Sequence, residues 1–184
     1  MTTTRLVILD REGVITECAT PFMRGPEDFR PIPGAFEAIA RLNQAGVRVV
    51  VATNQAGVGR GLFDMTLVNT IHDRMHRAAL AAGGRIDAVF YCPHSEEAHC
   101  ACRKPRPGML VQIADRFGLR SLMGVPAVGD SIRDLQAAVG AGCAPILVRT
   151  GKGRETEQDP DLPRGTVIYD SLADFTEAWL AAPH

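Results

Sequence analysis

Three polar residues that could act in phosphate chemistry directly follow short apolar runs. Asp10 follows LVIL, Thr53 follows VVVA, and Asp130 follows AVG. A carboxylate such as that of Asp10 can attack phosphorus to form an aspartyl phosphate, and the Thr53 hydroxyl can hydrogen-bond a phosphoryl oxygen. Asp10 and Asp130 together would offer the hard oxygen ligands that Mg2+ prefers. Alone, each residue could simply cap a turn, so the case depends on the elements that bring them together.

Further polar residues that could contact phosphate lie beside these positions or elsewhere in the chain. Asn54 and Gln55 extend the possible phosphate contacts of Thr53. Lys104 could neutralise phosphate charge in the ground state and the transition state, and Arg103 could hold a second phosphate or a carboxylate with its bidentate fork. The alternative is a solvated surface pair. The segment NQAGVGRG adds backbone N–H groups, but it lacks the Lys-Ser/Thr ending of a Walker loop.

The segment GDSIRDLQAA runs from Asp130 into a predicted helix. Asp134 lies about one helical turn into that helix, where it could orient Lys104 or a metal-bound water. It could equally act only on the positive end of the helix. Ser131, next to Asp130, is expected to support the same site.

Cys92, His94, Cys100 and Cys102 form the most specific local pattern. Four soft or borderline ligands within eleven positions are typical of tetrahedral Zn2+. Because the protein would fill all four positions, such a zinc would be structural. His99 is a competing ligand, and the alternative to a metal is two pairs of unrelated buried residues.

The composition limits the classes of function. The chain has 184 residues, 20 basic and 21 acidic side chains, and a formal net charge of -1. This balance creates no overall attraction to nucleic acid or to a membrane surface.

The five cysteines are an odd number and are partly clustered, which is typical of a reducing compartment. Outside the cluster, Cys18 is expected to be an ordinary thiol and Cys143 a small core residue.

No apolar run approaches the roughly 20 residues that span a bilayer, and the run before Asp10 is too short for a signal peptide. We therefore expect a cytoplasmic monomer that acts on a small molecule, with no nucleic-acid or membrane partner. The length favours a single domain over 1–184 that carries a zinc-binding loop at 92–102.

The apolar pattern alternates strand and helix. Strands are predicted at 5–9, 47–52, 86–91, 125–128, 144–148 and 166–169, and helices at 34–45, 64–82, 132–141, 172–180 and from Pro107 onward. Alternation of this kind predicts an α/β fold, a three-layer Rossmann-like arrangement with a mostly parallel sheet covered on both faces. Ligands bind such sheets at the carboxyl ends of the strands, where the candidate residues stand.

Two segments are predicted to be irregular. Segment 16–33 has little periodicity and contains Pro21 and Pro26, so it is either a lid over the site or a plain connection. Segment 151–165 is polar and rich in Gly and Pro, and it is predicted to be a surface loop.

The segments LDREGV, ATNQ, CRKPRPG and VGDSIRDLQAA, in this order, resemble the four signatures of the haloacid dehalogenase superfamily of phosphatases. With the CPH zinc-type loop, the chain is similar to a branch that acts on small phosphorylated metabolites. The resemblance covers nearly the whole chain and implies a Rossmann-like core with a minimal cap.

The resemblance also implies roles for individual residues. Asp10 would be the nucleophile, with Mg2+ held by Asp10, the backbone carbonyl of Glu12 and Asp130. Lys104 and Thr53 would contact the phosphoryl group. Arg103 would contact the substrate, and the cysteine and histidine cluster would bind zinc.

Glu12 is a departure from the family pattern, which has Asp two residues after the nucleophile as general acid and base. Carboxylic acid chemistry is retained, but one extra methylene moves the carboxyl group by roughly an ångström, enough in principle to cost about 100-fold in rate. A second departure lies at Ile15, Thr16 and Glu17, where the family often has Asn, so sugar or anomer preference could differ.

Three functions remain open from the sequence. The first, which the resemblance implies, is hydrolysis of the 7-phosphate of a heptose 1,7-bisphosphate, on a route that supplies heptose to the outer envelope. Arg103 beside Lys104 favours such a doubly phosphorylated substrate. The second is hydrolysis of histidinol phosphate. The third is a non-catalytic phosphosugar-binding protein, which Glu12 favours and the retained Asp10 disfavours.

Overall fold

The computed structural model describes residues 5–18 and 25–182. Six parallel strands form one sheet in the order β3-β2-β1-β4-β5-β6. The strands are β1 (Leu6–Leu9), β2 (Arg48–Asn54), β3 (Ala88–Cys92), β4 (Pro126–Gly129), β5 (Ala144–Val148) and β6 (Val167–Tyr169). The predicted parallel sheet is confirmed, and β3 and β6 lie at its two edges.

Helices cover both faces of this sheet. They are α1 (Ala35–Gln44), α2 (Ala56–Gly59), α3 (Met65–Ala81), α4 (Gly108–Phe117), α5 (Ile132–Gly140), α6 (Gly153–Thr156) and α7 (Leu172–Ala181), with short 3-10 helices at Pro26–Asp28 and Glu96–Ala98. The long elements begin and end within two residues of their predicted bounds. No helix in the described ranges is both long and apolar enough to cross a membrane.

The alternation of side chains along β1 explains the three layers. Val7 and Leu9 are buried on one face, in a core built with helices α1, α3 and α7. Leu6 and Ile8 are buried on the other face, in a core shared with α4 and α5. Successive residues of a strand point to opposite sides, so a continuous apolar strand requires cover on both.

The strand order creates a switch point between β1 and β4. From β1 the chain winds through β2 and β3 on one side, and from β4 through β5 and β6 on the other. Leu9 pairs with Val128, and the N–H of Asp10 donates to the carbonyl of Val128 at 2.9 Å. The residues that follow these two strands, Asp10 and Asp130, therefore meet where open α/β sheets bind their ligands.

The two ends of segment 16–33 are held together beside β1. The N–H of Glu17 donates to Arg30 and the N–H of Ile32 donates to Ile15. The middle of the segment, which includes Pro21, lies outside the described residues. Whether the segment acts as a lid therefore stays a prediction.

The prediction of a surface loop at 151–165 is wrong for its first part. Gly153 and Thr156 are buried within helix α6, which packs against β5. A Cβ atom on Gly153 would overlap the carbonyl of Val148, so the absence of a side chain permits this close approach. The high Gly content reflects tight packing here rather than exposure.

Arg11 links the turn after β1 to helix α3. Its side chain is fully buried, its Nη2 donates to Oε1 of Glu12 at 2.5 Å, and its Nη1 lies 3.4 Å from Nε2 of His72. The pKa of His72 is lowered to about 4, mainly by burial and in addition by the positive charge of Arg11. A guanidinium only donates hydrogen bonds, so the Arg11 contact also requires a neutral His72 that accepts through Nε2.

We expect neutral His72 to make the stability of the fold sensitive to acid. Its pKa is about 4 in the folded protein and near 6.5 when unfolded, so the unfolded chain takes up this proton first as pH falls. The contribution of neutral His72 to the free energy of unfolding is complete above pH ~6.5. Roughly 3 kcal/mol of this contribution is lost between pH ~6.5 and ~4. His72→Gln, which does not titrate in this range, should lose less unfolding free energy over the same interval.

Urea unfolding of both proteins at several pH values measures the difference between them. The comparison with the variant cancels the other groups that titrate in this range. His76→Gln is the matched control for removing a histidine from α3. Parallel curves for the native protein and His72→Gln would contradict the assignment.

Candidate active site

The buried ammonium group of Lys104 lies at the centre of the site. Its Nζ is 2.9 Å from Oδ1 of Asp10 and 2.5 Å from Oδ1 of Asp134, and it donates to the carbonyl of Ala52 at 2.7 Å. Carboxylate oxygens of Asp10, Asp130 and Asp134 all lie within 4.8 Å of one another. The fold thus gathers one cation and three carboxylates from three separate parts of the chain.

The carboxylates differ in their affinity for protons. Burial raises the pKa of Asp10 to about 7, although Lys104 opposes the shift, and burial raises that of Asp130 to about 6. Burial would also raise the pKa of Asp134, but the charge and hydrogen bond of Lys104 lower it overall. Asp10 and Asp130 are therefore the two carboxylates whose negative charge most needs a further cation.

Asp130 is held by one backbone N–H and one side-chain hydroxyl, both from the segment around α6. The N–H of Lys152 donates to its Oδ2 at 2.8 Å, and the hydroxyl of Thr156 donates to its carbonyl at 2.8 Å. A Cβ atom on Gly13 or Gly151 would overlap the Asp130 carboxylate, and both glycines have positive φ, of 84° and 56°. These two positions therefore require glycine for both space and backbone conformation.

The three polar residues at the end of β2 have different placements. Thr53 and Asn54 line the cavity with Asp10, whereas Gln55 lies behind Thr53 and donates to its Oγ1 at 3.0 Å. Asn54 donates to the carbonyl of Lys104 at 3.0 Å and accepts from its N–H at 3.1 Å. Gln55 is thus placed to orient the Thr53 hydroxyl, and Asn54 to position Lys104.

Asp134 performs both of the tasks that the sequence left open. Besides its contact with Lys104, it accepts from the N–H of Ser131 at 3.1 Å and from the Ser131 hydroxyl at 2.5 Å. Together these residues form a capping box at the start of α5. The cap holds the carboxylate in the orientation that meets Lys104.

Glu12 lines the same cavity of about 90 Å3. Its Oε1 is held by Arg11, and about a third of its side chain is exposed. The structure therefore gives the longer carboxylate a buried anchor on the side away from solvent.

Sequence reasoning missed three residues that line this cavity: Cys18, Arg133 and Lys152. Sγ of Cys18 lies 3.9 Å from Oδ2 of Asp130, and burial raises the pKa of its thiol to about 12. Lys152 contributes its backbone N–H, which any residue other than proline could supply. No spacing in the sequence distinguishes these positions.

The predicted zinc ligands converge on one point. Sγ of Cys92 lies 3.5 Å from Sγ of Cys100 and 3.4 Å from Sγ of Cys102. Nδ1 of His94 lies 3.6 Å from Cys92 and 3.4 Å from Cys102. A tetrahedron with such edges has its centre about 2.1 Å from each corner, close to the ~2.0–2.3 Å of zinc–nitrogen and zinc–sulfur bonds.

The structure also tests the predictions for His99 and for Cys143. His99, the competing ligand, lies outside the cluster of possible ligands found among the described residues. Its carbonyl accepts from Arg106 instead. Cys143 is a buried core residue, as expected.

The thiol of Cys100 has a lowered pKa. Burial alone would raise the pKa of this thiol, but contacts with the Cys102 and Cys92 sulfurs lower it to about 7.

A second cleft, of about 390 Å3, adjoins the first and shares Lys104 and Arg133 with it. Arg103 lines this cleft, and its Nη2 donates to Oε1 of Glu96 at 2.8 Å. Its side chain is largely buried rather than solvated. The cleft is thus rich in guanidinium groups and has two lining residues in common with the cavity around Asp10.

Comparison with known proteins identifies the family. Residues 101–175 match a family described as HAD-hydrolase-like, and residues 9–127 match one described as polynucleotide kinase 3 phosphatase. A D-glycero-β-D-manno-heptose-1,7-bisphosphate 7-phosphatase from Bordetella bronchiseptica is 53% identical over 96% of this chain and 98% of its own. The protein of the same name from Pseudomonas aeruginosa is 46% identical over 95% of this chain and 97% of its own.

A solved structure of a heptose 1,7-bisphosphate phosphatase from B. bronchiseptica has a closely similar fold. The crystal structure of D,D-heptose 1,7-bisphosphate phosphatase from B. bronchiseptica, complexed with magnesium and phosphate, superposes with a TM-score of 0.94 at 52% identity, covering 96% of this chain and 98% of that one. The predicted resemblance is confirmed, and the chain belongs to the HAD-like hydrolases, in the family of heptose 1,7-bisphosphate phosphatases.

Proposed function

We propose that this chain hydrolyses the 7-phosphate of D-glycero-β-D-manno-heptose 1,7-bisphosphate. The observation that carries the proposal is the placement of Asp10 at the sheet's switch point, 2.9 Å from the buried ammonium of Lys104 and beside two further carboxylates. The names of the relatives support the substrate and the β anomer. Residues 1–184 would form one phosphatase domain around the single described sheet.

Magnesium fits the acidic side of this site. Asp10, the backbone carbonyl of Glu12 and Asp130 would hold it, since Asp134 is already engaged by Lys104 and Ser131. Bound there, Mg2+ would neutralise charge on the phosphoryl group. The magnesium and phosphate bound to the Bordetella enzyme support this assignment.

The residues of this chain can carry out the reaction in two steps. The Asp10 carboxylate attacks phosphorus, the bond to the sugar oxygen breaks, and Glu12 supplies a proton to that oxygen. Glu12 then removes a proton from water, which attacks the aspartyl phosphate, releases phosphate and restores Asp10. Lys104 and the Thr53 hydroxyl would stabilise the negative charge on the phosphoryl oxygens throughout.

The adjoining cleft favours a doubly phosphorylated sugar over histidinol phosphate. Arg103, Arg106 and Arg133 line the cleft, so a second phosphate would meet guanidinium groups. The amine and imidazole of histidinol phosphate would instead meet like charge. We therefore assign Arg103 to the 1-phosphate, which stays on the sugar.

Zinc is proposed for the cysteine and histidine cluster. The near-tetrahedral spacing of Cys92, His94, Cys100 and Cys102 supports a closed, structural site. Cys102 is two residues before Lys104, so an ordered loop here would help to hold the Lys104 backbone in place.

The first prediction that follows from the proposed function concerns the reaction itself. With Mg2+, phosphate release should be fastest from the β anomer of heptose 1,7-bisphosphate, slower from the α anomer and slowest from histidinol phosphate. Asp10→Asn should abolish turnover, because an amide cannot form the acyl phosphate. Asp115→Asn, on the distant helix α4, is the matched control. Faster release from histidinol phosphate would refute the proposed substrate.

The second prediction concerns Glu12. Glu12→Asp should raise kcat for the sugar bisphosphate, by up to about 100-fold if the extra methylene misplaces the carboxyl group. The gain should be smaller with p-nitrophenyl phosphate, whose leaving group needs little protonation. Glu17→Asp, at an exposed carboxylate nearby, is the control. Equal turnover of native protein and Glu12→Asp would show that Arg11 already places the longer side chain well.

The third prediction concerns the metal loop. Elemental analysis of the purified protein should find about one zinc per chain, and Cys102→Ser should lose most of it and unfold at a lower temperature. Cys143→Ser alters a cysteine in the core and should retain the zinc even if it is less stable. Full zinc content in Cys102→Ser would rule out this ligand.

A further inference from the structure

Three arginines surround a single carboxylate at the mouth of the site. Oε1 of Glu96 lies 2.8 Å from Nη2 of Arg103. The same oxygen lies 3.9 Å from Nη2 of Arg60 and 3.8 Å from Nη1 of Arg133. These arginines come from the end of α2, the loop before Lys104 and the first turn of α5. Only the folded chain brings the three together.

The positive charge of this cluster exceeds what Glu96 can neutralise. Of the three guanidinium groups, that of Arg103 alone lies within hydrogen-bond distance of Oε1 of Glu96, so the single negative charge of Glu96 faces three positive charges and pairs closely with one of them. Nη1 of Arg103 is buried and has no hydrogen-bond partner within the described part of the chain. A group with two negative charges, such as a phosphate, would match the cluster better than a carboxylate does.

Glu96 is held in a way that permits its displacement. Its side chain is 57% exposed, whereas that of Arg103 is 11% exposed. Ion pairs of such exposed groups contribute little to stability. Glu96 also lines the same cleft as Arg103 and Arg133, and this cleft shares Lys104 and Arg133 with the cavity around Asp10.

We propose that Glu96 is a built-in occupant of the arginine cluster, which the second phosphate of the substrate displaces. The inference rests on the proposed function and adds a specificity-determining residue to it. Without substrate, Glu96 keeps the three guanidinium groups together. After hydrolysis the product still carries its other phosphate, and the returning carboxylate competes with that phosphate and favours release.

The test compares Glu96→Gln with Glu97→Gln. Glu97 is an exposed carboxylate on the same turn and outside the ion pairs with the arginine cluster, so its substitution removes the same charge from the loop. Glu96→Gln should lower KM for heptose 1,7-bisphosphate, and the inhibition constant of the sugar 1-phosphate product, about 3- to 10-fold. KM for p-nitrophenyl phosphate, which has no second phosphate, should change less than about twofold.

Arg133→Gln provides a second variant and should raise KM for the bisphosphate. Calorimetric titration of the bisphosphate into Asp10→Asn, with and without Glu96→Gln, measures the same effect without turnover. An unchanged or raised KM and Kd in the Glu96→Gln proteins would overturn the inference, because the carboxylate would then not compete with substrate. If native protein releases no phosphate from the bisphosphate, the proposed function itself fails.

Discussion

The buried ion pairs of Lys104 are the interaction on which the site depends. An ammonium group taken out of water is costly unless its partners are close and correctly oriented. Asp10 and Asp134 meet this need at 2.9 and 2.5 Å, and both raise the pKa of Lys104 against the opposing effect of burial. Removing either carboxylate would leave a buried charge partly unpaired, so Asp10 and Lys104 stabilise each other's position.

The elements around Lys104 each constrain this arrangement. Asn54 holds the lysine backbone to the end of β2, and the capping box at Ser131 fixes the orientation of Asp134. The proposed zinc loop ends two residues before Lys104, so metal binding and phosphate chemistry would share one segment of chain. A structural metal distant from the reacting atoms would then matter for the placement of the cation.

The site joins a rigid part to an adaptable one. Asp130 and Asp134 are buried, and the carboxylate of each accepts from a backbone N–H, which suits groups that must hold a fixed geometry around the phosphoryl group. The arginine cleft is more exposed, and its charges meet a carboxylate that solvent can reach. Different substrates in this family could therefore be distinguished at the cleft while the chemistry at Asp10 stays the same.

The sequence by itself determined the sheet, the position of the proposed nucleophile and the cysteine and histidine pattern of the proposed metal site. Apolar runs of strand length, separated by helical periodicity, leave few alternatives to a parallel sheet with two covered faces. Polar residues placed just after these strands must then meet at one edge, which is why Asp10, Thr53 and Asp130 were predictable. The Cys and His spacing was informative for the same reason, since the ligands are close along the chain.

Only the tertiary structure decided the contacts made between distant segments. Gln55 lies behind Thr53, and segment 151–165 was predicted to be exposed although Gly153 and Thr156 are buried. Arg60 and Arg133 converge with Arg103 on Glu96 from separate elements. The spacing of apolar residues predicts which face of a helix or strand is buried. It does not predict which residues of other elements contact that face, because those contacts depend on how the layers pack.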